Sequence, residues 1–161
     1  MGRVDARCVR PSAAAAAAPL PSPGGASRTV SQVLARTGLV LKRVLVADGD
    51  PAARRLLCTL LGLDKLGLLE ARDGVDALAV ARFERPEVAV LDLVPPPLGG
   101  LDVCRALRAD AELASIKVVI LSERDQPADR AAADIAGADA YLAKPYSPLA
   151  LLDVVQRLSW G

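Results

Sequence analysis

Two carboxylates, a hydroxyl and an ammonium each stand at the end of a short apolar run in this chain. Asp92 closes Val88-Ala89-Val90-Leu91, and Asp48-Gly49-Asp50 follows Val44-Leu45-Val46-Ala47. Ser122 follows Val118-Val119-Ile120-Leu121, and Lys144-Pro145 follows Ala140-Tyr141-Leu142-Ala143. Carboxylate oxygens can hold a hard cation, while hydroxyl and ammonium donors receive the oxygens of an anion. Gathered in one place, these groups would form a metal site or a phosphoryl-transfer site.

The elements that must gather them are legible in the same runs. Short segments rich in Val and Leu, alternating with helical stretches, predict strands of a parallel sheet covered on both faces. In such sheets the ligand crevice lies at the carboxyl ends of the strands, where the four polar points fall. The strands are expected near 43–47, 66–70, 87–91, 116–121 and 139–143, and the helices near 51–62, 74–84, 101–109, 127–136 and 148–158. Five strand–helix repeats fit a five-stranded, doubly wound α/β sheet better than a barrel, which needs eight. Asp50-Pro51 and Ser147-Pro148 each place a capping side chain before a proline suited to the first helical position. Asp73 offers a cap before the second helix, and Gly137 stands where a left-handed residue would stop the fourth.

With 161 residues and 52% hydrophobic content, the chain has one domain's worth of sequence and enough for a sizeable core. Phe83, Tyr141, Tyr146 and Trp160 are its only aromatics, so Leu, Val, Ile and Ala must build that core. The absence of histidine excludes His-based metal sites, His general bases and any role as a phosphohistidine donor. Cys8, Cys58 and Cys104 are odd in number and form no Cys-x-x-Cys pair; buried thiols in a reducing cytosol fit them better than a disulfide scaffold. Arg3, Arg7, Arg10, Arg28, Arg36 and Lys42 stand against Asp5 alone in the first 42 residues, which leaves the remainder net acidic. An acidic domain without a basic, aromatic-rich stretch argues against direct contact with nucleic acid. No stretch approaches the roughly 20 apolar residues of a membrane span.

Residues 1–42 contain the alanine run 13–18 followed by Pro19, Pro21, Pro23, Gly24 and Gly25, a composition expected of a disordered tail. A signal peptide, an organellar transit peptide or an upstream start codon are the other readings of that segment, and 31–41 has the makings of a short helix. The folded domain is expected over 43–161.

Val44-Leu45-Val46-Ala47-Asp48-Gly49-Asp50-Pro51-Ala52-Ala53-Arg54, Val90-Leu91-Asp92 and Gly137-Ala138-Asp139-Ala140-Tyr141-Leu142-Ala143-Lys144-Pro145-Tyr146 resemble the landmarks of the receiver domain of two-component response regulators. The likeness covers about residues 43–159 and extends to the spacing between landmarks. It implies a flavodoxin-like sheet of order 2-1-3-4-5 and a phosphoaspartate switch. By this resemblance Asp92 is the phosphoacceptor, and Asp48, Asp92 and the main-chain carbonyl of Val94 hold Mg2+. Lys144 meets the phosphoryl oxygens, Ser122 donates its hydroxyl to one of them, Tyr141 turns with Ser122, and the Lys144–Pro145 bond is cis.

Four departures from the family pattern stand out. Gly49 occupies the position of a second acid, often the direct metal ligand. Asp50 either compensates through a water or a shifted backbone, or simply caps the first helix. The prolines at 95–97 stiffen the loop after Asp92, with Gly99 where an acid is common. Glu123 takes the place of a small residue, and Val94 that of a side chain that often tunes hydrolysis.

The resemblance implies a phosphoacceptor signalling domain, not an enzyme in the ordinary sense, that assists its own phosphorylation and dephosphorylation. With one residue after Trp160, the expectation is a stand-alone, cytoplasmic receiver. It would take its phosphoryl group from a sensor histidine kinase or phosphotransfer protein, and signal through a protein partner at its fourth helix, fifth strand and fifth helix. The alternative is a phosphorylation-silent pseudo-receiver acting as an interaction module, which Gly49, Glu123 and the prolines favour. An unrelated flavodoxin-like binding domain would need a Ser-, Thr- and Gly-rich phosphate loop that the chain lacks.

Overall fold

Apolar residues occupy both alternating positions of the central strands, so each strand must be covered on both sides. The computed structural model describes residues 42–62, 66–93 and 98–161 and arranges them in that way. The elements run β1 (Arg43–Ala47), α1 (Pro51–Leu61), β2 (Gly67–Ala71), α2 (Gly74–Glu84), β3 (Val88–Asp92), α3 (Gly100–Ala109), β4 (Lys117–Ser122), α4 (Pro127–Ala136), β5 (Ala140–Ala143) and α5 (Pro148–Trp160). All strand pairs are parallel, in the order β2-β1-β3-β4-β5. The expected doubly wound sheet with five helices is the observed fold.

Strand alternation sorts the core into two layers. Leu45, Ala47, Leu69, Ala89, Leu91, Val118 and Ile120 point to one face, where Ala77, Val80 and Ala81 of α2, Val103 and Leu107 of α3, and Ala133 of α4 cover them. Val44, Val46, Leu68, Val88, Val90, Val119 and Leu121 point to the other, under Leu57 and Leu61 of α1 and Leu151 and Val155 of α5.

Strands β2, β3 and β4 begin and end one residue later than the apolar runs suggest. Ladder pairing sets their ends: Asp92 pairs with Leu121 and Ser122 with Ala143, which draws both polar residues into the sheet. Asp50 caps α1 by accepting the Ala52 amide, and Asp73 caps α2 by accepting the Asp76 amide. Ser147 occupies the corresponding place before α5, but its hydroxyl makes no capping bond, contrary to expectation. Gly137 ends α4 with φ 91°, a left-handed conformation that suits glycine.

The amino edge of the sheet is tied together by Arg108. Its guanidinium donates to the carbonyls of Gly137, Ala114 and Ile116 at 2.9, 2.9 and 2.7 Å, and to Asp139 Oδ2 at 2.8 Å. Cys104 is a buried free thiol that donates to the Ala136 carbonyl, and burial pushes its pKa up. Cys58 is disulfide-bonded, so the buried-thiol expectation holds for Cys104 alone among the described residues. Apart from Lys42, the expected tail lies outside the described residues, as do Val94 and the prolines at 95–97. No helix among the described residues is long and apolar enough to cross a membrane.

Candidate functional site

Parallel register brings the strand ends level. Ala47 pairs with Leu91, Asp92 with Leu121 and Ser122 with Ala143, so the residues at or just beyond these points share one edge. Lys144 is tied into that edge by its own amide, which donates to the Ser122 carbonyl at 2.7 Å. Its side chain reaches past the end of β4 and places Nζ 3.0 Å from Asp92 Oδ1 of β3. Burial alone would lower the Lys144 pKa; the hydrogen bond and charge of Asp92, with Asp48 beyond it, outweigh burial and raise it. Lys144 is therefore held as an ammonium against two carboxylates. The Lys144–Pro145 bond is cis. Next to it, burial pushes the Tyr146 hydroxyl above its ordinary pKa.

Asp48 is 3% exposed. Its Oδ1 accepts the Asp50 amide at 2.8 Å, whereas Oδ2 is buried and has no hydrogen-bond partner. A buried carboxylate oxygen left unpaired is costly unless something outside the protein satisfies it. Burial raises the Asp48 pKa; the Asp50 amide pulls it down, Asp92 pushes it up, and Lys144 opposes. Asp50 is exposed, and its Oδ1 is occupied by the Ala52 amide at 3.0 Å, which is the capping role. No group of three potential metal-binding His, Cys, Asp or Glu side chains exists among the described residues. The unpaired Oδ2 of Asp48, with Asp92 nearby, nevertheless suits a hard cation. Mg2+ keeps several waters and is commonly bound through only one or two carboxylates.

A second cluster joins the expected switch residues. Ser122 is 2% exposed, and its Oγ accepts the Arg124 amide at 3.0 Å. The Tyr141 hydroxyl donates to the carbonyl of the same Arg124 at 2.5 Å. The Arg130 guanidinium stands 5.0 Å from the Tyr141 ring centroid and pairs with Asp125 at 2.6 Å. Both side chains are thus read out by one residue, Arg124. Glu123, between Ser122 and Arg124, is exposed.

The sequence reading misses a buried ion pair beneath the acidic edge. Arg54 of α1 is 2% exposed, and its Nε donates to Glu70 Oε2 of β2 at 2.9 Å. Its Nη1 donates to the main-chain carbonyl of Asp48 at 2.7 Å. A signal was present: Arg54, Leu57, Cys58 and Leu61 follow the spacing of a buried helical stripe, and Glu70 interrupts an apolar strand. A charge at a stripe position calls for a buried partner of opposite sign.

The response regulator receiver domain family matches residues 44–156. Response regulator MprA of Mycobacterium avium is 40% identical over 116 residues, covering 72% of this chain and 50% of that protein. The chain thus spans about half the length of the curated relatives it matches. Among solved structures, the receiver domain of the putative response regulator NarL from Mycobacterium tuberculosis superposes with a TM-score of 0.69 at 31% identity, covering 75% of this chain and 98% of that one. The chemotaxis protein CheY4 of Vibrio cholerae superposes with a TM-score of 0.69 at 26% identity, covering 74% of this chain and 99% of that one.

Proposed function

The chain belongs to the response regulator receiver family, and on that premise we propose that Asp92 accepts a phosphoryl group from a sensor histidine kinase or a phosphotransfer protein. The observation that carries this reading is the 3.0 Å contact between Lys144 Nζ and Asp92 Oδ1, made across 52 residues of sequence. An ammonium placed there balances the negative charge of the carboxylate, then meets the incoming phosphoryl oxygens.

A carboxylate oxygen of Asp92 attacks phosphorus as the bond to the donor breaks, and the donor leaves with the electron pair. Such a transfer requires positioning and charge neutralisation more than a base. Lys144 supplies one positive charge. The Ser122 hydroxyl, now accepting the Arg124 amide, is suited to donate to a second phosphoryl oxygen. Mg2+, when bound, would supply further charge neutralisation; Asp48, Asp92 and the Val94 carbonyl are the residues proposed to hold it. Asp50 is left to its capping role. As Ser122 moves toward the phosphoryl group it gives up the Arg124 amide, and Tyr141, bonded to the Arg124 carbonyl, is expected to respond.

The receiver unit is proposed to span 43–161, with residues 1–42 outside its fold. A protein partner would read the surface of α4, β5 and α5, with no direct contact to nucleic acid. Incubation with acetyl phosphate and Mg2+ should add one phosphoryl group to the intact mass, and Asp92→Asn should abolish the addition. Modification that persists in the folded Asp92→Asn protein would move the acceptor elsewhere. A phosphorylation-silent pseudo-receiver is the second reading, favoured by Gly49 and the exposed Glu123; a wild-type protein that stays unmodified under these conditions would support it.

A further inference from the structure

We propose that Arg54, anchored by Glu70, is a positioning residue of the acidic pocket, bracing the main chain on both sides of Gly49 so that Asp48 keeps its place beside Asp92. The inference rests on the receiver reading for its meaning, but its geometry is independent of phosphorylation.

Arg54 holds the carbonyls at both ends of one short turn. Its guanidinium takes the Asp48 carbonyl at 2.7 Å, and its amide takes the Asp50 carbonyl at 2.9 Å. Between those anchors lies Gly49, exposed and without a side chain to restrain it. Glycine loses the most conformational freedom on ordering, so a turn containing it needs outside constraint to stay in one shape. Asp48 Oδ1 depends on that shape, because it accepts the amide of Asp50 at the far side of the same turn. The orientation of the unpaired Oδ2 follows from the orientation of Oδ1.

A buried guanidinium is an expensive way to hold one carbonyl, and replacing a buried ion pair by apolar residues is often neutral or stabilising. Glu70 offsets the charge: the Val46–Glu70 register places it on the strand beside β1, two residues before Asp48. Arginine is the residue that can do both jobs, since its rigid fork reaches a carboxylate and a carbonyl at once.

The test compares wild type with Arg54→Met/Glu70→Leu, an apolar replacement of the pair, and with Arg54→Lys. Calorimetric titration gives Mg2+ affinity, and hydrogen exchange in metal-free protein gives protection of the Asp50 amide, with Val90 of β3 as the internal control for global stability. The double variant is expected to weaken Mg2+ binding by about ten-fold, as loss of a residue supporting a metal ligand does. Exchange of the Asp50 amide should quicken while Val90 remains protected. Arg54→Lys, able to reach only one of the two acceptors, should fall between. A folded double variant with unchanged Mg2+ affinity and unchanged Asp50 exchange overturns the proposal. Should the double variant fail to fold, Arg54→Lys decides by the same two readings, and wild-type values would overturn it. A wild-type protein that takes no phosphoryl group would count against the receiver reading alone, since exchange of the Asp50 amide is measured without phosphodonor or metal.

Discussion

A Cβ added to Gly100 would stand 2.8 Å from the carbonyl oxygen of Asp92. Helix α3 therefore starts hard against the main chain of the candidate phosphoacceptor, and only a residue without a side chain allows the approach. Gly100→Ala must push that carbonyl or the helix aside. The expected cost is about 1–3 kcal/mol, the range for overpacking a well-filled site. Thermal unfolding should show a lowered midpoint, and mass spectrometry a slowed phosphorylation by acetyl phosphate. An unchanged midpoint with unchanged phosphorylation would show that the contact relaxes freely.

Restoring the missing acid should strengthen the cation site. In Gly49→Asp a second carboxylate joins Asp48, and Mg2+ affinity measured by calorimetry should rise about ten-fold or more. Phosphorylation at sub-saturating Mg2+ should quicken with it. Equal or weaker affinity in Gly49→Asp would show that position 49 does not limit the site.

The pH dependence of the metal-free fold should carry the mark of Asp48. Burial raises its native pKa, so the folded state holds the proton more tightly than the unfolded chain does. Its stabilising contribution is therefore complete below the ordinary carboxylate range and is lost as pH rises through the raised native value. Above that point the ionised, buried Asp48 weakens the fold. Asp48→Asn should be more stable than the wild type at pH 7 without metal, and no more stable in acid, where the wild-type carboxyl is already neutral. Mg2+ should then stabilise the wild type and leave Asp48→Asn unmoved. Denaturant titrations at both pH values, with and without Mg2+, check the sign of each difference.

Arg124 links Ser122 to Tyr141, which predicts how a phosphoryl mimic should spread through the protein. Beryllofluoride with Mg2+ is expected to shift the backbone amide of Arg124 and, beyond it, resonances of α4 and β5. Tyr141→Phe removes the bond to the Arg124 carbonyl and should shrink the distant shifts while leaving those around Asp92 intact. NMR of the two proteins makes the comparison. Shifts confined to the Asp92 neighbourhood in the wild type would favour the constitutive interaction module over the switch.

Most of the fold was legible because the apolar runs and their capping residues are local signals. Asp50, Asp73 and Gly137 stop and start helices through their own backbone neighbours, and α2 and α4 fall where those residues predict. Strand ends were less legible, since Asp92 and Ser122 enter the sheet through pairing with residues far away in sequence. The convergence of Lys144 with Asp92 followed from topology alone. Arg54 and Glu70 were missed although each breaks an apolar pattern, because only the pairing of β1 with β2 and the packing of α1 set one beside the other. The bond from Arg54 to the Asp48 carbonyl has no side-chain signature at its acceptor, so nothing in the identity of Asp48 announces it.

The position of β5 has a bearing on how the protein behaves in a crowded solution. It is the last strand in the sheet order, bonded to β4 on one side only, so among the described residues its outer row of amides and carbonyls has no strand partner. A long bare rim of that kind invites a second chain to zip on, which is how soluble proteins coalesce into fibrils. Here the strand lasts four residues, and Pro145, with no amide hydrogen to donate, follows Lys144 just beyond it. Brevity, a flanking charge and a missing donor leave little template to copy. The same stretch that delivers Lys144 to the site is thus a poor template for edge-to-edge strand pairing.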